Sequence, residues 1–379
     1  MRGGARPDTL IEQVRQSGGG TTTVHFIYPH GRAISCPDAI GRNVGERLRT
    51  RYRVVHYDWD DTRVIEPGPN EVLLGHPHPV AWTCFRQSAR RSGWRRIIWM
   101  SPYNHGDLHQ LSFGDSVIEY CDAYLAITGN YWFSSIPQSP FSHWLPRMVH
   151  VDLAVDRSDF PVMKNSFNRP GARRFLYIGH AGWPKNTEYL TQIAQAMPEG
   201  EVSWAGRGDR AIPGLKPLGY QDFRTEAAKR LVREHDFLLT VSHADSNPAT
   251  VLEAMAWGLI PVCTAQSGYA SYEGIRNIPL RDVGGALEVL RKLQHCPEES
   301  LRSMQQVNWE VLDTHFNWDR LAGQVIAAIE SCTRPPLECE PLSRKLQLRW
   351  AALRSPHAPF SRRYLRVSAR ALFGFETNR

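Results

Sequence analysis

No stretch of this sequence approaches the roughly 20 consecutive apolar residues that cross a bilayer. The opening MRGGARPDTLIEQVRQSGGG likewise lacks the apolar core of a secretory leader. A cytoplasmic protein is expected. There is no CxxC pair: the seven cysteines, at 36, 84, 121, 263, 296, 332 and 339, are odd in number and scattered, which argues against a disulfide framework and a thiolate zinc site. Short-period repeats are missing, and the one low-complexity patch is GGG at 18–20. No helix-turn-helix, zinc-finger or RRM pattern accompanies the net charge of +7. That charge is local, with ten Lys and Arg against three Asp and Glu between Thr333 and Arg379, and equal numbers of each sign before them. A basic tail is not a basic groove, so no nucleic-acid partner is expected.

What is present is enough apolar material, 42% over 379 residues, for two globular domains. Short apolar runs alternate with helical stretches such as DAIGRNVGERLRT and AWTCFRQSARR. The runs are VHFIY (24–28), RVVHY (53–57), EVLLG (71–75), RIIWM (96–100) and AYLAIT (123–128). After an irregular segment from Asp156 to Gly171 the pattern restarts with RFLYIG (174–179), VSWAG (202–206), DFLLTV (236–241) and LIPVCTA (259–265). This is α/β organisation in two doubly wound domains joined near residue 165, with ligands expected outside the carboxyl ends of the strands.

The stretch SHADSNPATVLEAMAWGLIPV (242–262) joins a strand, a loop, a helix and a strand, and carries Asp245 and Glu253 across the loop-to-helix junction. Ser246, Asn247 and Pro248 mark the helix start, with Ala249 and Thr250 in its first turn. Free N–H groups there and the positive end of the dipole suit a phosphate. Glu253 is placed to accept hydrogen bonds from ribose hydroxyls, and Asp245 from a sugar beyond the phosphates. Plain helix-end electrostatics accounts for the same two acids and stays open at this point.

The run DSNPATVLEAMAWGLIPV resembles the hallmark of retaining glycosyltransferases of the family-4 type, which have the GT-B fold and an E-x7-E pair ahead of an EAMA-type phrase. VHVDLAVDRSDF (149–160), FLYIGHAGWPKN (175–186) and HFNWDRLAGQVIAAIES (315–331) are similar to further phrases of that family, in order. The resemblance covers residues 148–331. It implies two Rossmann-like domains facing across a cleft: 1–160 on the acceptor side and 161–316 on the donor side. A crossover helix at 317–332 and the basic tail at 333–379 complete the chain. It also implies sugar transfer, of hexosyltransferase type, from a nucleotide-diphospho-sugar to a carbohydrate or lipid-linked acceptor in surface polysaccharide or glycolipid assembly. No cofactor or metal is implied.

Carried over by residue, Glu253 binds the donor ribose and Asp245 faces the donor sugar. Lys185 neutralises the diphosphate, aided by Gly179, His180 and the Ser246–Thr250 loop. Gly219 and Tyr220 touch the base, and His105 stands near the reacting carbon, although it falls a few residues late of the family position. Asp245 replaces the family's Glu and His180 its Arg, which keeps open a second function: a non-catalytic GT-B module that binds a nucleotide or a partner. Arg32 and Arg42, after the first strand, are candidates for the phosphates or acceptor.

Two metal-like patterns are assigned no metal: Asp58, Asp60 and Asp61 in YDWDDT are read as a solvated loop, and the HxH of GHPHP (75–79) lacks a nearby carboxylate or cysteine to complete a site. In the tail, residues 344–370 hold eight Lys and Arg. There Arg363, Arg366 and Arg370 share one helical face, and Phe360, Tyr364 and Val367 another. Such a helix rests on an anionic membrane surface or packs on the protein's own N-terminal half.

Overall fold

The computed structural model describes residues 22–354, apart from 32–35, 59–60, 78–83, 112–113, 115–116, 199–200, 209–210, 271 and 339–341. Two six-stranded sheets organise it, and every strand pairing is parallel. The first contains β1 (Thr23–Ile27), β2 (Arg53–Tyr57), β3 (Val72–Gly75), β4 (Arg96–Pro102), β5 (Ala123–Ile127) and β6 (Met148–Val151), in the order β2-β1-β3-β4-β5-β6. The second contains β7 (Phe175–Ile178), β8 (Val202–Ala205), β9 (Lys216–Gly219), β10 (Phe237–Thr240), β11 (Ile260–Thr264) and β12 (Arg276–Ile278), in the order β12-β11-β10-β7-β8-β9. The interior strands are the apolar runs of the sequence, buried on both faces as a helix-covered parallel sheet requires. The strand order reverses between β7 and β10, so a crevice opens at their carboxyl ends.

Three strands were not among the expected runs: β6, β9 and β12. Each is the outermost strand of its sheet. In LKPLGYQDF the KPLG portion pairs with β8, and Pro217 is tolerated there because an edge strand has one side without ladder partners.

Between β6 and β7 the chain is tied to the second sheet by a fully enclosed ion pair, Lys164–Asp236 at 2.8 Å. Asp236 also accepts the N–H groups of Asn168 at 2.8 Å and Arg174 at 3.0 Å, the extra hydrogen bonds a buried carboxylate needs to offset its lost hydration. After the second sheet, helix Trp318–Glu330 returns to pack on helix Cys36–Leu48 of the first half. Arg47 meets Asp319 at 2.6 Å, and Glu330 accepts from Tyr52 and, at 3.3 Å, from Arg95.

The chain then stays on the first half. Arg96 donates to the Thr333 carbonyl at 2.7 Å and Arg147 to that of Pro335 at 2.8 Å. Helix Leu342–Arg354 buries Leu348 in the apolar cluster around Trp99 and Phe141, so this part of the tail packs on the protein itself. Leu342 and Leu346 remain exposed on it. Residues 355–379, with the Arg363, Arg366 and Arg370 face, lie outside the described residues. Among the described residues no helix is long and apolar enough to cross a membrane.

Candidate active site at the strand ends

The loops at the carboxyl ends of β4 and β5 meet those of β10 and β11, so the two sheets confront each other end to end. Asn104, after β4, donates to the Ser246 hydroxyl at 3.1 Å. After β5 the Gly129 N–H reaches the Ser246 carbonyl at 2.7 Å, and Trp132 donates its indole N–H to the Asp245 carbonyl at 2.7 Å. The Asn247 side chain accepts the Leu153 N–H at 2.9 Å. The approach is tight: a Cβ on Gly129 would sit 1.8 Å from the Gly268 carbonyl oxygen, after β11. Four contacts from the opposite half therefore clamp residues 245–247.

Within the clamp, the Asp245 carboxylate is ion-paired with Lys185, which the short turn Trp183–Lys185 brings from the loop after β7. Both side chains are less than a fifth exposed, so Lys185 is not a freely solvated lysine. Beside them helix Ala249–Trp257 begins after Pro248, which makes no side-chain capping hydrogen bond, and is closed by Gly258 at φ 96°, a left-handed conformation that favours glycine. Its Ala249 and Thr250 N–H groups have no protein acceptor among the described residues.

Glu253 lies one turn inside this helix and faces a cavity of about 340 Å³ bounded by Cys36, Arg42, Leu153, Phe160, Arg224 and Trp318, among others. Its carboxyl makes no hydrogen bond or ion pair among the described residues, and burial raises its pKa to about 7. Part of the side chain is still reached by solvent from the cavity, yet the carboxyl is surrounded by protein deeply enough to disfavour its charge. Burial, with the charges of Glu253 and Asp245 added, holds the neighbouring Cys36 thiol up at about 12, which leaves it inert.

His180 is exposed at the end of β7. Partial burial of its ring and then the Lys185 charge lower its pKa, so it is mainly neutral near pH 7. Gly179 is beside it, and its carbonyl oxygen would be 1.9 Å from a Cβ on Gly206. His105 stands edge-on to Trp132 with centroids 4.9 Å apart, which puts it across the cleft from Asp245, and burial lowers its pKa.

Lys185, Asp245, Glu253, the 246–250 loop, Gly179 and His180 thus gather at one place, with His105 opposite. Gly219 and Tyr220 do not reach the Glu253 cavity: they end the edge strand β9, and Tyr220 is exposed with the Arg207 guanidinium 4.1 Å over its ring. Arg42 lines the cavity, whereas Arg32 lies outside the described residues. The Asp61 carboxylate is engaged by Arg63, Asp60 and His78 lie outside the described residues, and among the described residues no group of side chains could hold a metal ion. Sequence reasoning did not anticipate Asn104, Trp132, Cys36 or Arg224, which come from distant segments and carry no local signature.

Comparison of the sequence with protein-family models and with curated proteins finds no match. Solved structures do match. Sucrose-phosphate synthase from Thermosynechococcus elongatus superposes with a TM-score of 0.59 at 13% identity, over 81% of this chain and 98% of that one. The catalytic domain of starch synthase IV from Arabidopsis thaliana, bound to ADP and acarbose, gives 0.57 at 10% identity, over 82% and 99%. An alpha-glucosyltransferase in complex with UDP and a 13-mer DNA gives 0.54 at 10% identity, over 82% and 100%. The fold is GT-B. In this GT-B chain the switch point of the second sheet carries the Lys185–Asp245 pair, and the first sheet supplies the facing wall with His105 and Trp132.

Proposed function

We propose that the protein transfers a hexose from a nucleotide-diphospho-sugar to an acceptor hydroxyl, with retention of configuration and without a metal. The observation that carries this reading is the arrangement around one helix start: Lys185 paired with Asp245 at its mouth, and, among the described residues, free N–H groups in its first turn and an unpartnered Glu253 facing a cavity. The donor's ribose hydroxyls donate to Glu253. The diphosphate accepts from the Ala249 and Thr250 N–H groups and draws Lys185 away from Asp245, which then accepts from the sugar's hydroxyls. The acceptor hydroxyl attacks the anomeric carbon on the face the diphosphate vacates, its proton passes to the departing phosphate oxygen, and the configuration is kept. Lys185 acts most strongly as charge builds on the leaving group. His105, on the opposing wall, orients the sugar.

The acceptor is a carbohydrate or a lipid-linked glycan of surface polysaccharide or glycolipid assembly. The surplus positive charge is confined to the tail, which favours a peripheral station at an anionic membrane face of the cytoplasm over a nucleic-acid partner. Thermal-shift titration with UDP-, GDP-, ADP- and CMP-sugars tests the reading: a donor at 100 times its dissociation constant stabilises by about 2.7 kcal/mol. Transfer from that donor should survive EDTA. Stabilisation by a nucleotide without any turnover would leave the second reading, a nucleotide-binding module, which the neutral His180 and the occupied Lys185 favour. No stabilisation by any donor removes the transferase reading and leaves a non-catalytic module that binds a partner.

A further inference from the structure

A second cavity, of about 520 Å³, opens on the same domain and shares no lining residue with the Glu253 cavity. It is bounded by Trp183, Asn186, Glu188, Gln192, His243 and Arg281, among others. Trp183 and His243 each precede the paired Lys185 and Asp245 by two residues, so this cavity adjoins that pair on a different side from Glu253. Asp107, on the loop after β4 of the opposite half, is near enough to act electrostatically on the His243 ring.

Nothing in the fold requires an indole here. Trp183 is 61% exposed, with the His243 ring nearly perpendicular to it at 4.2 Å between ring centroids. The His243 Nε2 atom is enclosed yet has no hydrogen-bond partner among the described residues. Glu188 and Gln192, one turn apart on helix Thr187–Gln195, and Arg281 are exposed with no hydrogen bond or ion pair among the described residues. Arg281 is held at φ 62°, a strained backbone for a residue other than glycine. Glu188 and Arg281 oppose each other in sign, which makes this neither an anion nor a cation site. Among the described lining residues Trp183 is the one exposed large apolar side chain, so a lipid chain would have little to pack on. A flat aromatic face ringed by amide, carboxylate, guanidinium and imidazole groups matches a pyranose, whose C–H face lies on the indole and whose equatorial hydroxyls reach the rim.

We propose that this cavity is a saccharide subsite that holds a sugar unit of an oligosaccharide acceptor next to the transfer centre. Its role as an acceptor subsite rests on the transferase reading; its capacity to bind sugar does not. The test is a printed array of di- to tetrasaccharides of glucose, galactose, mannose and N-acetylglucosamine, probed with the full chain in the absence of donor. Calorimetric titration of UDP, GDP and ADP runs in parallel. The wild type is expected to hold a subset of glycans, Trp183→Ala and Gln192→Leu to weaken that binding at least about tenfold, and Trp183→Phe to retain it, while nucleotide affinity is unchanged in all three. Glycan binding with no nucleotide binding would remove the transferase reading and leave the subsite standing. An array that holds no glycan, or on which Trp183→Ala and Gln192→Leu match the wild type, overturns the subsite.

Discussion

Glu253→Gln separates stability from donor binding at one atom pair. Burial raises the Glu253 carboxyl from its ordinary 4.5 to about 7. A group whose folded pKa exceeds its unfolded value favours the folded state most below the unfolded pKa, and that advantage is lost as pH rises through the folded one. Here the loss develops between pH 4.5 and about 7 and is complete above it. At about 1.4 kcal/mol per tenfold change in proton affinity, the ionised carboxylate costs at most about 3 kcal/mol at pH 8. Gln keeps the shape and carries no charge, so Glu253→Gln should raise stability at pH 8 by up to about 3 kcal/mol, and at pH 5 by less than about 1. Urea unfolding at the two pH values reads this directly. The same change should weaken donor binding, because ribose hydroxyls donate better to a carboxylate than to an amide oxygen. In the wild type, donor affinity should fall toward tenfold per pH unit below 7, and in Glu253→Gln it should be flat. Equal gains at pH 5 and pH 8, or destabilisation at pH 8, would show that the carboxyl is not held in a desolvated cavity, and the electrostatic reasoning would fail.

Lys185→Ala should lower kcat by about 100-fold with a smaller change in KM, as expected for a group whose partner gains charge in the transition state; a raised KM with kcat unchanged would make it a ground-state contact. His180→Arg should raise kcat/KM above pH 7 by up to about tenfold and flatten its decline, because Arg keeps the charge that partial burial and Lys185 deny the imidazole; a pH–rate profile unchanged between pH 6 and 8.5 would remove His180 from the phosphate site. Gly129→Ala places a methyl 1.8 Å from the Gly268 carbonyl and strains the Gly129–Ser246 hydrogen bond, so the halves must part; small-angle scattering should show a larger radius of gyration, and identical scattering and donor affinity would refute the clamp. Truncation after Arg354 should abolish sedimentation with phosphatidylglycerol vesicles, each basic residue near such a surface contributing about 1 kcal/mol, whereas equal binding to neutral vesicles would discount the membrane station.

Strands buried in the middle of a sheet announce themselves in the sequence, because both faces must be apolar: VLLG, FLLT and IPVCT are examples. The strands that escaped, MVHV, KPLG and RNI, all lie at sheet edges, where one side has no ladder partner and alternation, proline and charge are permitted. The site divides along the same line. Asp245 and Glu253 are legible because a helix start fixes their spacing within one short segment. The ion pair of Asp245 with Lys185 joins two loops of the second half 60 residues apart, and the clamp by Asn104 and Trp132 is a product of two chain halves meeting; no local pattern encodes either. The same holds for Trp183 beside His243, which reads in sequence as two unrelated loop residues.

Helix Trp318–Glu330 belongs to the second half by sequence and to the first by contact, and this has a consequence during synthesis. When β6 leaves the ribosome at Val151, the first sheet is complete but the face of helix Cys36–Leu48 that receives the returning helix is still bare. At about 5–20 residues per second, roughly 10–30 s pass before that cover emerges. For that interval the nascent first domain exposes an apolar surface that only its own distant C-terminal segment can seal. Slow elongation or premature termination between the two halves should therefore yield an insoluble fragment, and supplying residues 316–338 as a separate peptide should rescue its solubility.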